Sequence, residues 1–193
     1  GDSAPDNQFV QDFISAYNYD VGNGGGQSLK AIAENPFATV DVQEQGMEGY
    51  SSEVYSKQDG AFGDSFNVVY WNPNLGLETT SGYILSPATV LEHEAGHALG
   101  SLMNTSENRN YGSDAQYDSK EEKRVISGPE QQTARANGEI PMFSRSRSDH
   151  KGLPVVTDSP ISNKVNKNAT FKFHNNRTYK NESFTPSYIK YAP

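Results

Sequence analysis

The sequence predicts an α+β fold: a small mixed or antiparallel sheet stacked on one central helix, with further helices after it. Three observations predict it. Residues 87–103 combine helical periodicity with helix-start signals. Residues 39–71 hold three segments of strand-type alternation. After a polar loop, residues 117–136 return to helical spacing.

In chain order, Phe9, Val10, Phe13, Ile14 and Tyr17 fall on one face of a helix over residues 8–17. Gly22-Asn23-Gly24-Gly25-Gly26 reads as a flexible loop, because it lacks the Lys-Ser/Thr of a phosphate-binding loop and no strand precedes it. A short helix over residues 28–35 follows, with Ser28 as its cap and Pro36 beyond its end. Val40 and Val42 alternate with polar neighbours in a strand over 39–45, and residues 54–57 form a weaker one. Phe66-Asn67-Val68-Val69-Tyr70-Trp71 is the best strand, stopped by Asn72-Pro73-Asn74, and Trp71 is expected in sheet packing. One long loop then leads to the central helix. There Ser86 stands as cap, Pro87 takes the first helical position, and Leu91, Ala95, Leu99 and Leu102 form an apolar stripe. Beyond the polar loop at 104–114, a helix over 117–126 is capped by Asp118 or Ser119 and interrupted at Ser127-Gly128-Pro129. A third helical piece over 130–136 closes at Asn137-Gly138, and residues 144–150 are basic and irregular. From Pro154 clear periodicity is lost, which divides the chain into a domain at 1–153 and an extended tail at 154–193 packed on it.

With 193 residues the chain is long enough for one domain with a substantial core. Hydrophobic residues make up 34% and the mean hydropathy is −0.76, so long polar loops are expected. No run of apolar residues is long enough to span a membrane, and residues 1–5 lack the basic and apolar regions of a signal peptide. The absence of cysteine excludes disulfides, thiol catalysis and thiolate metal sites. The net charge of −8 argues against general nucleic-acid binding. That charge is uneven: residues 1–150 carry 9 basic and 22 acidic side chains, residues 151–193 carry 7 and 2.

The chemistry is concentrated in the central helix, at His93-Glu94-Ala95-Gly96-His97. Positions i and i+4 of a helix share a face, so both imidazoles reach one ion. Zn²⁺ binds neutral imidazole and needs a third protein ligand, leaving its fourth position to water. Glu94, one step round from His93, is placed to act as general base, the arrangement of a zinc peptidase. Only four histidines occur in the chain, which makes the pairing specific. For the third ligand the residues leave several options open: His150, His174, an aspartate in the 114–118 loop, or a glutamate from a following helix. Glu121-Glu122 is one such pair, although an acidic first turn also suits the helix dipole alone.

The motif together with Glu121-Glu122-Lys123-Arg124-Val125-Ile126-Ser127-Gly128 resembles the clostridial neurotoxin light chains, the NleD-type effector zinc proteases and the protease domains of Rhs-type polymorphic toxins. The resemblance covers roughly residues 67–150. It implies a zincin-like fold and assigns Zn²⁺ to His93, His97 and Glu122, with Glu121 and Glu130 as supporting carboxylates. Arg147-Ser148-Asp149-His150 falls where that group carries Arg-x-x-Tyr, so Arg147 and His150 are expected to stabilise the tetrahedral intermediate. Histidine in place of tyrosine can still bond to an oxyanion. A register shift would put Arg145 in place of Arg147, and His150 as a ligand is the main competitor to Glu122. His174 is expected to be a surface residue.

The function that follows is a zinc-dependent metalloendopeptidase with a protein or peptide substrate, secreted or delivered as a bacterial effector or toxin domain. A cognate immunity protein is a possible partner of such a toxin; no membrane span and no nucleic acid are expected. If the 66–71 strand is a sheet edge, it holds substrate by strand addition. Specificity is expected in the loops at 46–64 and 104–116. The alternatives are a catalytically silent zinc-binding module and a zinc amidohydrolase or exopeptidase.

Overall fold

Asn7 starts the first helix by accepting the Val10 N–H at 2.9 Å, and α1 runs Gln8–Gly22. The computed structural model describes residues 7–37, 39–45, 53–58, 65–103, 112–169, 171–175 and 180–184, the backbone alone for 53–58, 65–67, 171–175 and 180–184. Helix α1 outruns its periodic stretch because distant residues tie down its end. The Tyr19 hydroxyl donates to the Asn137 carbonyl (3.3 Å), and Asn137 Nδ2 donates to Asp20 Oδ1 (2.7 Å).

The glycine run is a tight turn rather than the flexible loop expected. Gly24 and Gly26 take left-handed backbone (φ +90° and +67°), which glycine adopts without steric cost. A Cβ on Gly25 would meet Thr133 at 2.8 Å, and the Gly26 N–H donates to Thr133 Oγ1 at 2.9 Å. Helix α2, Gln27–Ala33, therefore starts one residue early, and Ser28 lies inside it instead of capping it. The cap comes from far away. The buried Glu92 carboxylate accepts the N–H groups of Ser28 (2.8 Å) and Leu29 (3.0 Å), satisfying two otherwise orphaned donors.

Three strands follow: β1, Val40–Glu44; β2, Glu53–Gln58; and β3, Ser65–Trp71. Their order is β1-β3-β2, with β1 parallel and β2 antiparallel to β3. Strand β3 is thus paired on both sides, which corrects its reading as a substrate-holding edge: its backbone groups are already in ladders. The expected long loop before the central helix contains two further strands, β4 (Leu75–Thr79) and β5 (Ile84–Leu85). Leu77 pairs with Leu85, and a Cβ on Gly76 would lie 2.3 Å from the Leu85 carbonyl oxygen, so glycine permits the approach.

Helix α3, Pro87–Leu102, is capped by Ser86 Oγ, which accepts the Thr89 N–H at 3.2 Å. Val69, Trp71, Ala88, Leu91, Ala95 and Ala98 are buried together with Ala16 and Leu29, so the core lies between β3, α3 and the two N-terminal helices. Trp71 packs as expected, its ring 5.8 Å from Phe9 and 6.5 Å from Phe13, and its Nε1 donates to the Pro87 carbonyl at 2.9 Å.

A short pairing of β6 (Ser113–Asp114) with β7 (Asp118–Ser119) leads into α4, Lys120–Val125, whose cap is Ser119. The expected interruption at 127–129 is a π-helical turn, Ile126–Glu130, that passes directly into α5, Gln131–Ala136. Pro129 has no N–H to give, and a wider turn absorbs that loss without ending the helix. Gly138 closes it in the left-handed region (φ +71°). Strand β8, Gly152–Val156, pairs antiparallel with β4, so the 153/154 boundary lies within a strand of the β5-β4-β8 sheet. Strands β9 (Phe171–Asn175) and β10 (Lys180–Phe184) form an antiparallel pair. Among the described residues no helix is long and apolar enough to cross a membrane.

Two acids are buried behind the start of α3. Asp20 is wholly inaccessible and is pushed up to about 8, chiefly by burial; Glu139 is pushed up to about 7, again by burial first. Ser86 and Thr89 face the Glu139 carboxyl closely enough to favour its charge, yet neither of its oxygens has a partner of good hydrogen-bond geometry. A carboxyl raised in the folded state holds its proton more tightly there, so its contribution to stability is present at low pH and lost as pH rises through the folded value. The melting temperature is expected to fall between pH 5 and pH 8. Asp20→Asn, which keeps an acceptor for Asn137, should flatten that fall in a thermal-melt series; an unchanged slope contradicts the assignment.

Candidate active site

The site is built where α4 and the π turn cross α3. Two glycines of α3, four residues apart, make the crossing close. A Cβ on Gly96 would touch Val125 at 3.0 Å and Pro129 at 3.3 Å; one on Gly100 would meet Arg124 Nη2 at 2.7 Å and Glu121 Oε1 at 3.2 Å. Arg124 uses the gap to donate to the Gly96 carbonyl (2.9 Å) while also binding both oxygens of Glu121 (2.5 and 2.8 Å). The first turn of α4 is thereby pinned over the His93–His97 face.

Three groups converge there. His93 Nε2 and His97 Nε2 are 3.2 Å apart. Glu122 straddles them, with Oε2 3.4 Å from His93 Nε2 and Oε1 3.2 Å from His97 Nε2. Tetrahedral zinc with bonds of 2.0–2.1 Å has ligand atoms about 3.3 Å apart, and this triangle has that edge. The far nitrogens are held by carboxylates: His93 Nδ1 lies 2.8 Å from Glu130 Oε2, and His97 Nδ1 lies 3.3 Å from Glu121 Oε1. Donation from Nδ1 leaves each Nε2 with its lone pair directed into the triangle. With both rings neutral, two lone pairs and a carboxylate would face one another and repel unless a metal cation or added protons lie among them. Glu122 Oε2 is, in addition, a buried oxygen with no hydrogen-bond partner. The donor set therefore fits a divalent metal of the zinc type. Atoms of His93, Glu94 and His97 suited to metal binding also lie within 4.8 Å of one another.

The electrostatics follow the geometry. Burial pulls the histidines down, but the carboxylates outweigh it: His97 is raised to about 10 by Glu121 and Glu122, and His93 is raised by Glu122 and Glu130. Burial would raise Glu122, yet the two histidines hold it far below the carboxylate range. Arg124 and His97 likewise bring Glu121 down to about 2. Glu94, buried on the same helix, is pushed up to about 7, mainly by burial.

Glu130 and Arg147 form a buried pair behind His93. Arg147 Nε lies 3.1 Å from both Glu130 oxygens and Nη2 lies 2.5 Å from Oε2, while Ser146 Oγ donates to Oε1 at 2.7 Å. Arg147 Nη2 is also 3.2 Å from His93 Nδ1, but that nitrogen already donates to Glu130, so the contact is not a hydrogen bond. The structure thus places Arg147 on the Nδ1 side of His93, away from the convergent Nε2 atoms. Arg145 lies exposed on the surface, whereas Arg147 is buried. His150 stands on the open side, half exposed, with Nε2 3.4 Å from Glu122 Oε2 and Nδ1 2.6 Å from Asp118 Oδ2. The side chain of His174 and residues 46–52, 59–64 and 104–111 of the expected specificity loops lie outside the described structure.

Arg124, Ser146 and Asp118 were not assigned these roles from the sequence. For Arg124 a signal existed: Glu121 and Arg124 are three apart on a helix, a spacing that pairs opposite charges. For Ser146 and Asp118 none did, because their partners lie 16 and 32 residues away. No curated protein and no solved structure matches the chain. A family of effector proteins, Peptidase_M91, matches it over residues 9–182, past the crossing of α3 with α4 and through β8 and β9. The chain belongs to that Peptidase_M91 effector family and is a peptidase-type effector.

Proposed function

We propose that this effector is a zinc-dependent metalloendopeptidase of the zincin type that cleaves a host protein after delivery. The observation that carries the reading is the triangle of His93 Nε2, His97 Nε2 and the Glu122 carboxylate at 3.2–3.4 Å. Zinc held there by His93, His97 and Glu122 would supply Lewis-acid polarisation of a peptide carbonyl and would acidify a water molecule. Glu94 takes the proton from that water on a carboxylate oxygen and returns it to the leaving amine. Its burial keeps it in the range where a carboxylate works as a base near neutral pH. His150, on the open side, can in its imidazolium form donate Nε2–H to the oxyanion while Nδ1–H stays with Asp118. Arg147 acts through Glu130, holding that carboxylate against His93 Nδ1 and so fixing the ring.

The test combines metal analysis with peptide cleavage. The purified chain should carry about one zinc per molecule and cleave members of a quenched fluorescent peptide library. Cleavage should stop with a chelator and return with zinc. Glu122→Ala should lose tightly bound zinc. A chain that binds no zinc, or a Glu122→Ala variant with unchanged zinc content, overturns the assignment. Release of single terminal residues instead of internal cleavage replaces endopeptidase with exopeptidase.

A further inference from the structure

All three described histidines are backed by a carboxylate at Nδ1: His93 by Glu130 (2.8 Å), His97 by Glu121 (3.3 Å) and His150 by Asp118 (2.6 Å). All three also turn Nε2 toward one group, the Glu122 carboxylate, at 3.4, 3.2 and 3.4 Å. The first two sit on a helix, His93 buried and His97 partly so. His150 is different: its side chain is 38% exposed and it sits in an irregular segment, held at the backbone by the Gln116 carbonyl (3.1 Å) and Arg147 Nη1 (3.3 Å). Of the two carboxylates at its imidazole, Asp118 is the nearer, at 2.6 Å against 3.4 Å for Glu122.

Asp118 is itself held in an uncommon conformation. Its φ of +63° makes it the one non-glycine residue in the left-handed region among those described. Its neighbours impose this. Asp114 Oδ1 accepts the Gln116 and Tyr117 N–H groups at 3.0 and 3.2 Å, Tyr117 is buried, and Ser119 caps α4 by accepting from the Glu122 N–H. The chain must reverse within one residue between the buried Tyr117 and the cap. Doing so projects a carboxylate, 75% exposed, back onto His150.

We propose that Asp118 is the positioning residue for His150: by accepting Nδ1–H it orients the ring so that Nε2, which bears the second N–H in the imidazolium form, faces the cleft beside Glu122. This rests on the reading of the cleft as a peptidase site. It also ties His150 to the residue immediately before the α4 cap, so the group that meets the oxyanion and the third metal ligand are set by one short segment.

The test uses the full chain loaded with zinc, in the variants Asp118→Gly, Asp118→Asn and His150→Ala and the Asp118→Gly/His150→Ala double. Glycine and asparagine both tolerate the left-handed backbone, so neither should disturb the turn, and asparagine keeps an acceptor oxygen. Long-range ¹H–¹⁵N spectra of neutral histidine report which ring nitrogen of His150 carries the proton: Nδ1 in the wild type and in Asp118→Asn, Nε2 predominantly in Asp118→Gly. With the library peptide cleaved fastest by the wild type, Asp118→Gly should lower kcat by about 10- to 100-fold with KM and zinc content little changed, and Asp118→Asn should restore part of it. On the His150→Ala background, Asp118→Gly should cost nothing more. A proton that stays on Nδ1 in Asp118→Gly, or an equal loss of kcat on both backgrounds, overturns the proposal. If the wild type cleaves no peptide, the peptidase reading fails, and the ring-nitrogen spectra still decide whether Asp118 directs His150.

Discussion

Glu94→Gln is expected to leave zinc in place and reduce peptide cleavage by about 10²- to 10⁴-fold, the usual contribution of a general base. The amide has the shape of the carboxylate but cannot accept the proton. Metal content should survive because the triangle of His93, His97 and Glu122 does not include Glu94. Stability should survive as well: Glu94 is buried, with its carboxyl pushed up to about 7, so replacing it by a neutral group removes a group that burial already disfavours as an anion. The measurement is kcat/KM beside zinc stoichiometry in one preparation. Full activity with zinc retained would remove Glu94 as the base; loss of zinc would make it a ligand.

The second large effect is at the Glu130–Arg147 pair. Removing one partner of a buried, hydrogen-bonded ion pair leaves the other charge without compensation, at about 3–5 kcal/mol. Glu130→Ala is expected to destabilise the chain by that order, because Arg147 is 5% exposed and three of its donated contacts end on Glu130. Glu130→Leu combined with Arg147→Met removes both charges, and the exchange of a buried pair for apolar side chains is often neutral or better. The double variant should therefore recover most of the stability. It should not recover metal affinity, since His93 Nδ1 has lost the acceptor at 2.8 Å that orients it; a loss of about 10- to 100-fold is expected. Urea unfolding and competition with a chromogenic zinc chelator separate the two quantities. If affinity returned along with stability, Glu130 would be a packing residue only.

These two predictions differ in where their evidence came from. His93, Glu94 and His97 lie within one turn of one helix, so their geometry was legible from spacing alone, as were the Ser86 cap, the Pro87 start and the α+β class. Strands β1 and β3 were legible from alternation, and α1 from its apolar face. Glu122 was legible only through the family resemblance, since an acidic first turn serves the helix dipole whether or not a metal is near.

What lay outside the reach of the sequence is long-range or short. Strands β4 and β5 are five and two residues long and read as loop: the second partner of β4, β8, comes more than seventy residues later, and β5, paired with β4, is too short to show alternation. The glycine run gave no sign of being a tight turn, because the side chain that presses on it, Thr133, belongs to another helix. The Glu92 cap on α2 joins elements 64 residues apart.

The sequence by itself determined the chemistry: a helix that presents two imidazoles and a carboxylate, because a period of 3.6 puts i and i+4 on one face. Tertiary structure alone decided which groups complete and orient that chemistry. Small residues at Gly96 and Gly100 let α4 approach closely enough for Glu122 to reach both Nε2 atoms. The π turn passing Pro129 carries Glu130 to His93 Nδ1, and a left-handed residue at 118 turns a carboxylate onto His150. Those choices depend on backbone separations and on how two helices cross, and residue spacing along one chain does not encode a distance between segments that are far apart in it.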